Sequence, residues 1–269
     1  MVAAVGSYLH ARSRNGRWLV RIEDIDPPRE VPGAARSQLE TLADFGMRID
    51  GPVTWQSRCR EFHDRALETL LTDGSAFHCG CTRRDLPDSG LYPGTCRSGL
   101  PPGRQARSIR ARVEDAEIRF SDGIQGPCSS NLAQQTGDFV IRRADGLVAY
   151  QLAVTVDDAR AGVTEIVRGA DLLDSTPRQI HLQRLLKLET PQYLHLPMVT
   201  GPDGRKLSKS EAADPVASQP PGRVLRQVLG LLGHAPPPGS DRLDRLWAWG
   251  IENWRPGRVP RGPVGVHER

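Results

Sequence analysis

Lysine is almost missing from this chain. Of its 36 basic side chains, only Lys187, Lys206 and Lys209 are lysines, and two of the three fall within KLSKS at 206–210. An ammonium is a compact, mobile point charge and a guanidinium a rigid fork, so lysine in an arginine-rich chain marks that stretch as a candidate site or a solvated loop. Long apolar runs are missing too. None approaches the ~20 residues of a membrane span, and no basic-then-apolar leader opens the chain, so a cytoplasmic location without a membrane partner is expected. There is no paired C-x2-C…C-x2-C pattern. Five cysteines is an odd number, and three of them crowd into 79–96, which suggests a metal more than disulfides.

What is present describes a soluble protein of one to two domains. The 269 residues can bury a substantial core. Hydrophobic content is 38%, charged content 25% and net charge +4, which permits nucleic acid as a partner without requiring it.

The chain opens inside a helix, with Val2, Val5 and Leu9 at helical spacing and Gly16 as C-cap. No Ser, Thr, Asp or Asn precedes the run to cap it. RWLVRIED (17–24) reads as a short buried strand, and DPPRE breaks it. GAARSQLETLADFG (33–46) reads as a helix ended by Gly46, and 58–73 as another. Strand, loop, helix is the α/β pattern. From 74 to about 137 the chain turns rich in Gly, Pro, Arg and Cys, the character of an inserted module, with strand-like RSIRARV at 107–113. DFVIRRADGLVAYQLAVTVDD (138–158) predicts two strands around a turn at Asp145-Gly146. A strand at TEIV precedes a helix whose Thr176, Pro177 and Gln179 read as N-cap, N1 and capping box. YLHLPMV is a further strand, and helices are expected at 222–233 and 241–254.

Several residues could carry chemistry. Lys206 and Lys209, three apart after a turn, suit a triphosphate whose charge develops as pyrophosphate departs. Glu23, Asp24 and Asp26 end a strand, where open α/β sheets bind ligands, and one carboxylate there could hold an ammonium; solvated turn acids are the alternative. Arg168 could bind a carboxylate bidentately. Tyr150, read on a strand, could hydrogen-bond a small ligand or sit in the core. Cys79, Cys81 and Cys96 supply three thiolates at C-x-C…C spacing, as zinc ligands or as inert buried thiols. Tyr92, His78 and Cys128 are candidates for a fourth position. His78 adjoins Cys79, which makes shared coordination awkward; Tyr92 would have to lose a proton, which a bound cation promotes.

Together RWLVRIEDIDPPREVPGAA, the C-x-C…Y-x3-C cluster, AYQLAVTVDDARAGVTEIVRGADLLDSTPRQ and KLSKS, in that order, resemble the glutamyl-queuosine tRNA(Asp) synthetases. These are short relatives of the catalytic half of class I glutamyl-tRNA synthetases, and the resemblance runs from about residue 2 to 254. It implies a Rossmann-like class I aminoacyl-tRNA synthetase fold of class α/β, with catalytic halves at 1–73 and 161–200. An inserted zinc-binding, acceptor-type module would occupy 74–160, and the KLSKS loop with C-terminal helices 201–269. It implies ATP-dependent, tRNA-independent activation of L-glutamate to glutamyl-adenylate, with Mg2+ accompanying ATP. The glutamyl group would pass to queuosine in the anticodon loop of tRNA(Asp), and a monomer is expected. By motif, Glu23 meets the glutamate ammonium, Tyr150 and Arg168 line the same pocket, Lys209 is the principal ATP ligand and Lys206 assists. One structural Zn2+ falls to Cys79, Cys81, Tyr92 and Cys96, which moves Tyr92 ahead of His78.

Family members begin with a strand, a Ser/Pro loop and a His-Ile-Gly-His-like motif before the helix that opens this chain. His10 lies inside the helix and does not replace that motif. The expectation is either a native start further upstream or a truncation with little catalysis. The alternatives to the leading reading are a catalytically silent tRNA-binding paralogue and a truncated glutamyl-tRNA synthetase acting on the 3′ end. The stretch after KLSKS is too short for the helical anticodon-binding region of a full glutamyl-tRNA synthetase.

Overall fold

The computed structural model describes residues 1–114, 117–201, 216–239 and 241–265. Helix α1 (Val2–Ser13) buries Val5, Tyr8 and Leu9 and has no side-chain N-cap. Its end departs from expectation. Asn15, not Gly16, takes the left-handed conformation (φ 54°), and the Gly16 amide donates to the Ala11 carbonyl. Asn tolerates that conformation, so it can turn the chain as a glycine would.

Strand β1 (Arg21–Ile22) is shorter than the run 17–24 predicts, and Leu19 is exposed. After helix α2 (Ala34–Asp44), Gly46 at φ 71° reverses the chain, as the sequence implies. Strand β2 (Thr54–Trp55) pairs in parallel with β1. Helix α3 (Arg60–Thr72) turns Leu67 and Leu70 inward.

Strands β3 (Ala76–Cys79), β4 (Ser108–Ala111) and β7 (Val140–Arg142) form an antiparallel sheet of order β3-β4-β7. Strands β5 (Glu117–Asp122) and β6 (Gly126–Asn131) make a hairpin, followed by the short helix α4 (Leu132–Gln135).

Residues 138–158 hold the largest correction. The turn at Asp145-Gly146 is present, with an isolated antiparallel bridge between Arg142 and Val148. The second half, however, is helix α5 (Tyr150–Arg160), not a strand. Seven consecutive residues, Gln151 to Asp157, are buried, so the helix shows no amphipathic stripe, and its Val and Thr residues imitate a strand. Tyr150 is therefore the first residue of a helix.

Strand β8 (Glu165–Gly169), helix α6 (Thr176–Leu185) and strand β9 (Gln192–Leu196) form a parallel crossover unit. The capping box expected at α6 is not formed. The Thr176 hydroxyl instead accepts from Arg168 Nη2 at 2.8 Å, and the Gln179 amide donates to Gln151 at 3.0 Å. Tertiary partners have taken the atoms a cap would use. The central sheet has the order β6-β5-β9-β8. Thus within 74–160, the stretch assigned to an insert, β3, β4 and β7 form their own sheet. The β5–β6 hairpin joins β9, and α5 packs on α3 and α6.

Strand β10 (Val199–Thr200), helices α7 (Pro221–Leu231) and α8 (Leu243–Asn253) and strand β11 (Val264–Gly265) complete the described chain. The two helices match the predicted pair. Val5 and Leu9 of α1 share a core with Leu225 and Leu229 of α7 and Trp247 of α8. Gly6 permits the close approach of α1 to β9, because a Cβ there would lie 2.5 Å from Leu196 Cδ1. No helix among the described residues is long and apolar enough to cross a membrane.

Three histidines are held neutral by burial, which lowers the pKa of each below 6.5. The indole N–H of Trp254 donates to His10 Nδ1 at 3.2 Å, and the opposite nitrogen of His10 lies 3.1 Å from Glu165. His181 meets the Arg112 carbonyl, and His234 accepts from the Arg255 amide. The unfolded chain therefore binds more protons near pH 6. Their contribution to stability is present above 6.5 and lost as pH falls below it. Melting temperature is expected to decline from pH 7.5 to 5.5. A flat profile over that range would contradict this reading.

Candidate active site and thiol centre

The end of β1 and strand β8 bring Glu23 and Arg168 within electrostatic reach of Tyr150, the first residue of α5. Arg21 donates from Nη1 to Asp158 at 2.6 Å and from Nη2 to Glu23 at 3.2 Å. Burial opposes the Arg21 charge, but the two carboxylates outweigh it and raise its pKa. Burial in turn pushes the Asp158 carboxyl up, against the pull of Arg21. Glu23 is exposed. The phenol of Tyr150 is pushed up first by burial and then by the charge of Glu23, with Arg168 pulling the other way. The Tyr150 hydroxyl has no hydrogen bond among the described residues.

Arg168 lies within β8, not after it. Its Nε donates to His195 Nε2 at 3.0 Å, and its Nη2 donates to Thr176 Oγ1 and, at 3.4 Å, to the Leu172 carbonyl. The guanidinium stands 5.4 Å from the centre of the Tyr193 ring. Its Nη1 has no hydrogen bond among the described residues, and because Nε and Nη2 are both engaged, a carboxylate could meet Nη1 alone rather than the two-nitrogen fork expected from the sequence. Asp24 is committed to Ser57, accepting from its amide and hydroxyl, and Asp26 is paired with Arg29 and Arg143. Lys206 and Lys209 lie outside the described residues.

The second centre lies at the end of β3. Alternation along that strand buries Phe77 and Cys79 and exposes His78, so His78 faces away from the cluster. Cys128, on β6, is apart from it. The Sγ atoms of Cys79, Cys81 and Cys96 all lie within 4.8 Å of one another, with Cys81 and Cys96 at 3.7 Å. The Tyr92 oxygen lies 3.5 Å from Cys79 Sγ and 4.0 Å from Cys81 Sγ. Ligands about 2.3 Å from a tetrahedral ion are separated by roughly 3.8 Å, so the three sulfurs could hold a metal ion, and the Tyr92 oxygen stands beside them, accepting from the Cys96 amide at 2.8 Å.

The surroundings compensate its charge. Buried Arg110 donates from Nε to Cys79 Sγ at 3.3 Å and lies over the Tyr92 ring, 4.0 Å from its centre. Arg104 donates to Cys81 Sγ. Burial raises the Cys79 thiol, but its hydrogen bonds with Tyr92, the Cys81 amide and Arg110 prevail and bring it down to about 7. Burial and its sulfur neighbours push Cys81 up to about 11, and burial also raises the Tyr92 phenol.

The model of class I tRNA synthetases (E and Q), catalytic domain, matches residues 2–89 and 99–220. Among curated relatives, the Glutamyl-Q tRNA(Asp) synthetase of Chromobacterium violaceum is 50% identical over 97% of this chain and 90% of its own. The protein of the same name from Aromatoleum aromaticum is 53% identical, over 97% of this chain and 85% of its own. This chain belongs to the glutamyl-Q tRNA(Asp) synthetase family. A glutamate tRNA ligase from Elizabethkingia meningosepticum shares the fold with this glutamyl-Q synthetase family member. The TM-score is 0.81 at 23% identity, over 98% of this chain and 63% of the ligase.

Sequence reading of this family member overlooked Arg21, Asp158, Asp122, His195 and Arg110. All but Asp122, which ends the largely polar strand EIRFSD, are charged or polar side chains within an apolar strand or buried helix, such as RSIRARV or YLHLPMV. Polarity where burial is expected is the one signal that could have found them.

Proposed function

We propose that this chain activates L-glutamate with ATP and transfers the glutamyl group to queuosine of tRNA(Asp). The observation that carries this reading is the placement of an acid and an arginine around one phenol, the arginine with its Nη1 uncommitted among the described residues, in a chain about half identical to glutamyl-Q tRNA(Asp) synthetases over nearly their full length. Glu23 would accept the ammonium of glutamate, held in place by Arg21. The Tyr150 hydroxyl would hydrogen-bond the same ligand, and Arg168 would pair with a carboxylate. Lys209, with Lys206, would meet the phosphates of ATP.

In the first step the free carboxylate of glutamate attacks the α-phosphorus, and the bond to pyrophosphate breaks. In the second, a ring hydroxyl of queuosine attacks the activated carbonyl, an ester forms and AMP departs. These residues orient reactants and stabilise charge; none has to form a covalent intermediate. Cys79, Cys81, Cys96 and Tyr92 would hold a structural zinc ion, which when bound supplies cross-linking of the segment around β3 and deprotonation of its ligands.

The test is glutamate-dependent exchange of pyrophosphate into ATP without tRNA, followed by mapping of labelled glutamate on queuosine-containing tRNA(Asp). Exchange with label in the anticodon fragment is expected. Label confined to the 3′ fragment would assign the chain to ordinary tRNA charging, and tRNA binding without exchange would leave a silent binding protein.

A further inference from the structure

We propose that Asp122 and His195 are positioning residues that aim the guanidinium of Arg168 by fixing which imidazole nitrogen carries the proton. The proposal deepens the functional reading above and rests on Arg168 as the arginine that meets glutamate.

Asp122 closes β5 and His195 lies in β9, and the side chains of both are fully buried. The sheet brings these distant residues together. Asp122 bridges to Tyr193 of β9, and His195 is the register partner of Arg168 on β8, so these two side chains stand together on one face. One oxygen of Asp122 is saturated by backbone, accepting from the amides of Ile124 at 2.9 Å, Gln125 at 2.8 Å and His195 at 3.1 Å. The other lies 2.6 Å from His195 Nδ1. Burial raises the Asp122 carboxyl, yet these hydrogen bonds together bring it below the usual carboxylate value, so it acts only as an acceptor. Nδ1 therefore carries the proton.

The tautomer decides what Arg168 encounters. With the proton on Nδ1, Nε2 presents a lone pair to the Arg168 Nε–H at 3.0 Å. Arginine cannot accept a hydrogen bond, so a proton on Nε2 would set donor against donor. Thr176 Oγ1, 3.2 Å from Nε2, accepts from Arg168 Nη2. The Tyr193 ring stacks 6.1 Å from the imidazole. Two guanidinium nitrogens are thereby held inside the protein and Nη1 remains for the ligand. The conformational cost of ordering a long side chain is met during folding rather than on binding.

Asp122→Asn is the discriminating variant. The retained oxygen still accepts the three amides, while the new amide nitrogen donates to Nδ1 and drives the proton to Nε2. In glutamate-dependent pyrophosphate exchange, the KM for glutamate is expected to rise roughly 10- to 100-fold, the loss of one hydrogen bond to a charged group, with the KM for ATP within about threefold of wild type. His195→Gln can place an amide oxygen where Nε2 stood and is expected to keep glutamate KM within about fivefold of wild type, less than one such hydrogen bond.

Nitrogen-15 NMR of His195 gives a readout that needs no activity. The Nδ1–H form is expected in wild type and the Nε2–H form in Asp122→Asn. An Nε2–H or doubly protonated His195 in wild type at pH 7.5 would overturn the proposal. So would unchanged glutamate KM in Asp122→Asn when wild type exchanges. Wild-type protein without exchange would count against the functional reading, and the tautomer measurement would then decide this proposal alone.

Discussion

Arg168→Ala is expected to lower kcat/KM for glutamate in pyrophosphate exchange by roughly 100-fold, the equivalent of about 3 kcal/mol for hydrogen bonds to a charged ligand. The KM for ATP should stay within about twofold of wild type, because the affected contacts are to glutamate alone. The loss has two parts. The ligand carboxylate loses its partner, and His195 Nε2 and Thr176 Oγ1 lose the donors they now receive at 3.0 and 2.8 Å. Arg168→Lys is not expected to rescue. A single ammonium cannot satisfy His195 and Thr176 while also presenting a free edge to the ligand. If Arg168→Ala raised the KM values of glutamate and ATP equally, a general structural role would replace the specific one.

Cys81→Ser is expected to reduce bound zinc from about one ion per chain to nearly none, because a structural site needs its full ligand set. It should also lower the melting temperature by roughly 10 °C, the consequence of losing on the order of 3–5 kcal/mol in a chain of this size. The cause lies in the unaided chemistry of the cluster. The Cys79 thiol is poised at about 7, while Cys81 stands at about 11 and the phenol of Tyr92 is raised further. A bound cation must therefore displace protons from at least two ligands, so zinc affinity should fall steeply as pH is lowered. Cys128→Ser, outside the cluster, should leave metal content unchanged. Retention of one zinc per chain by Cys81→Ser, with an unchanged melting temperature, would refute the ligand assignment. Metal analysis and thermal melts of the same preparations decide it.

Much of the architecture was legible because local pattern and tertiary role agree. Val5 and Leu9 on one face of α1, Gly46 beyond α2 and the apolar stripes of α7 and α8 all behave as their spacing implies. Agreement failed where burial was complete. QLAVTVD is buried throughout in α5, so it carries no periodic record of its helix, and its β-branched residues bias the reading towards a strand. Thr176 and Gln179 failed for a related reason. Their sequence spacing fits a cap, but Arg168 and Gln151 are better placed for those atoms.

The sequence by itself determined the family, through long strings such as AYQLAVTVDDARAGVTEIVRGADLLDSTPRQ. It also limited the candidate metal ligands to three crowded cysteines and a few neighbours, since short spacing along the chain suffices for that. Only the tertiary structure decided that His78 faces away from the thiols while Tyr92 approaches them, because strand pleat and loop path set direction. Only it brought Asp122 and His195, 73 positions apart, to 2.6 Å behind Arg168. A hydrogen bond depends on distance and angle in space, and no periodicity along the chain encodes which strand will lie beside which.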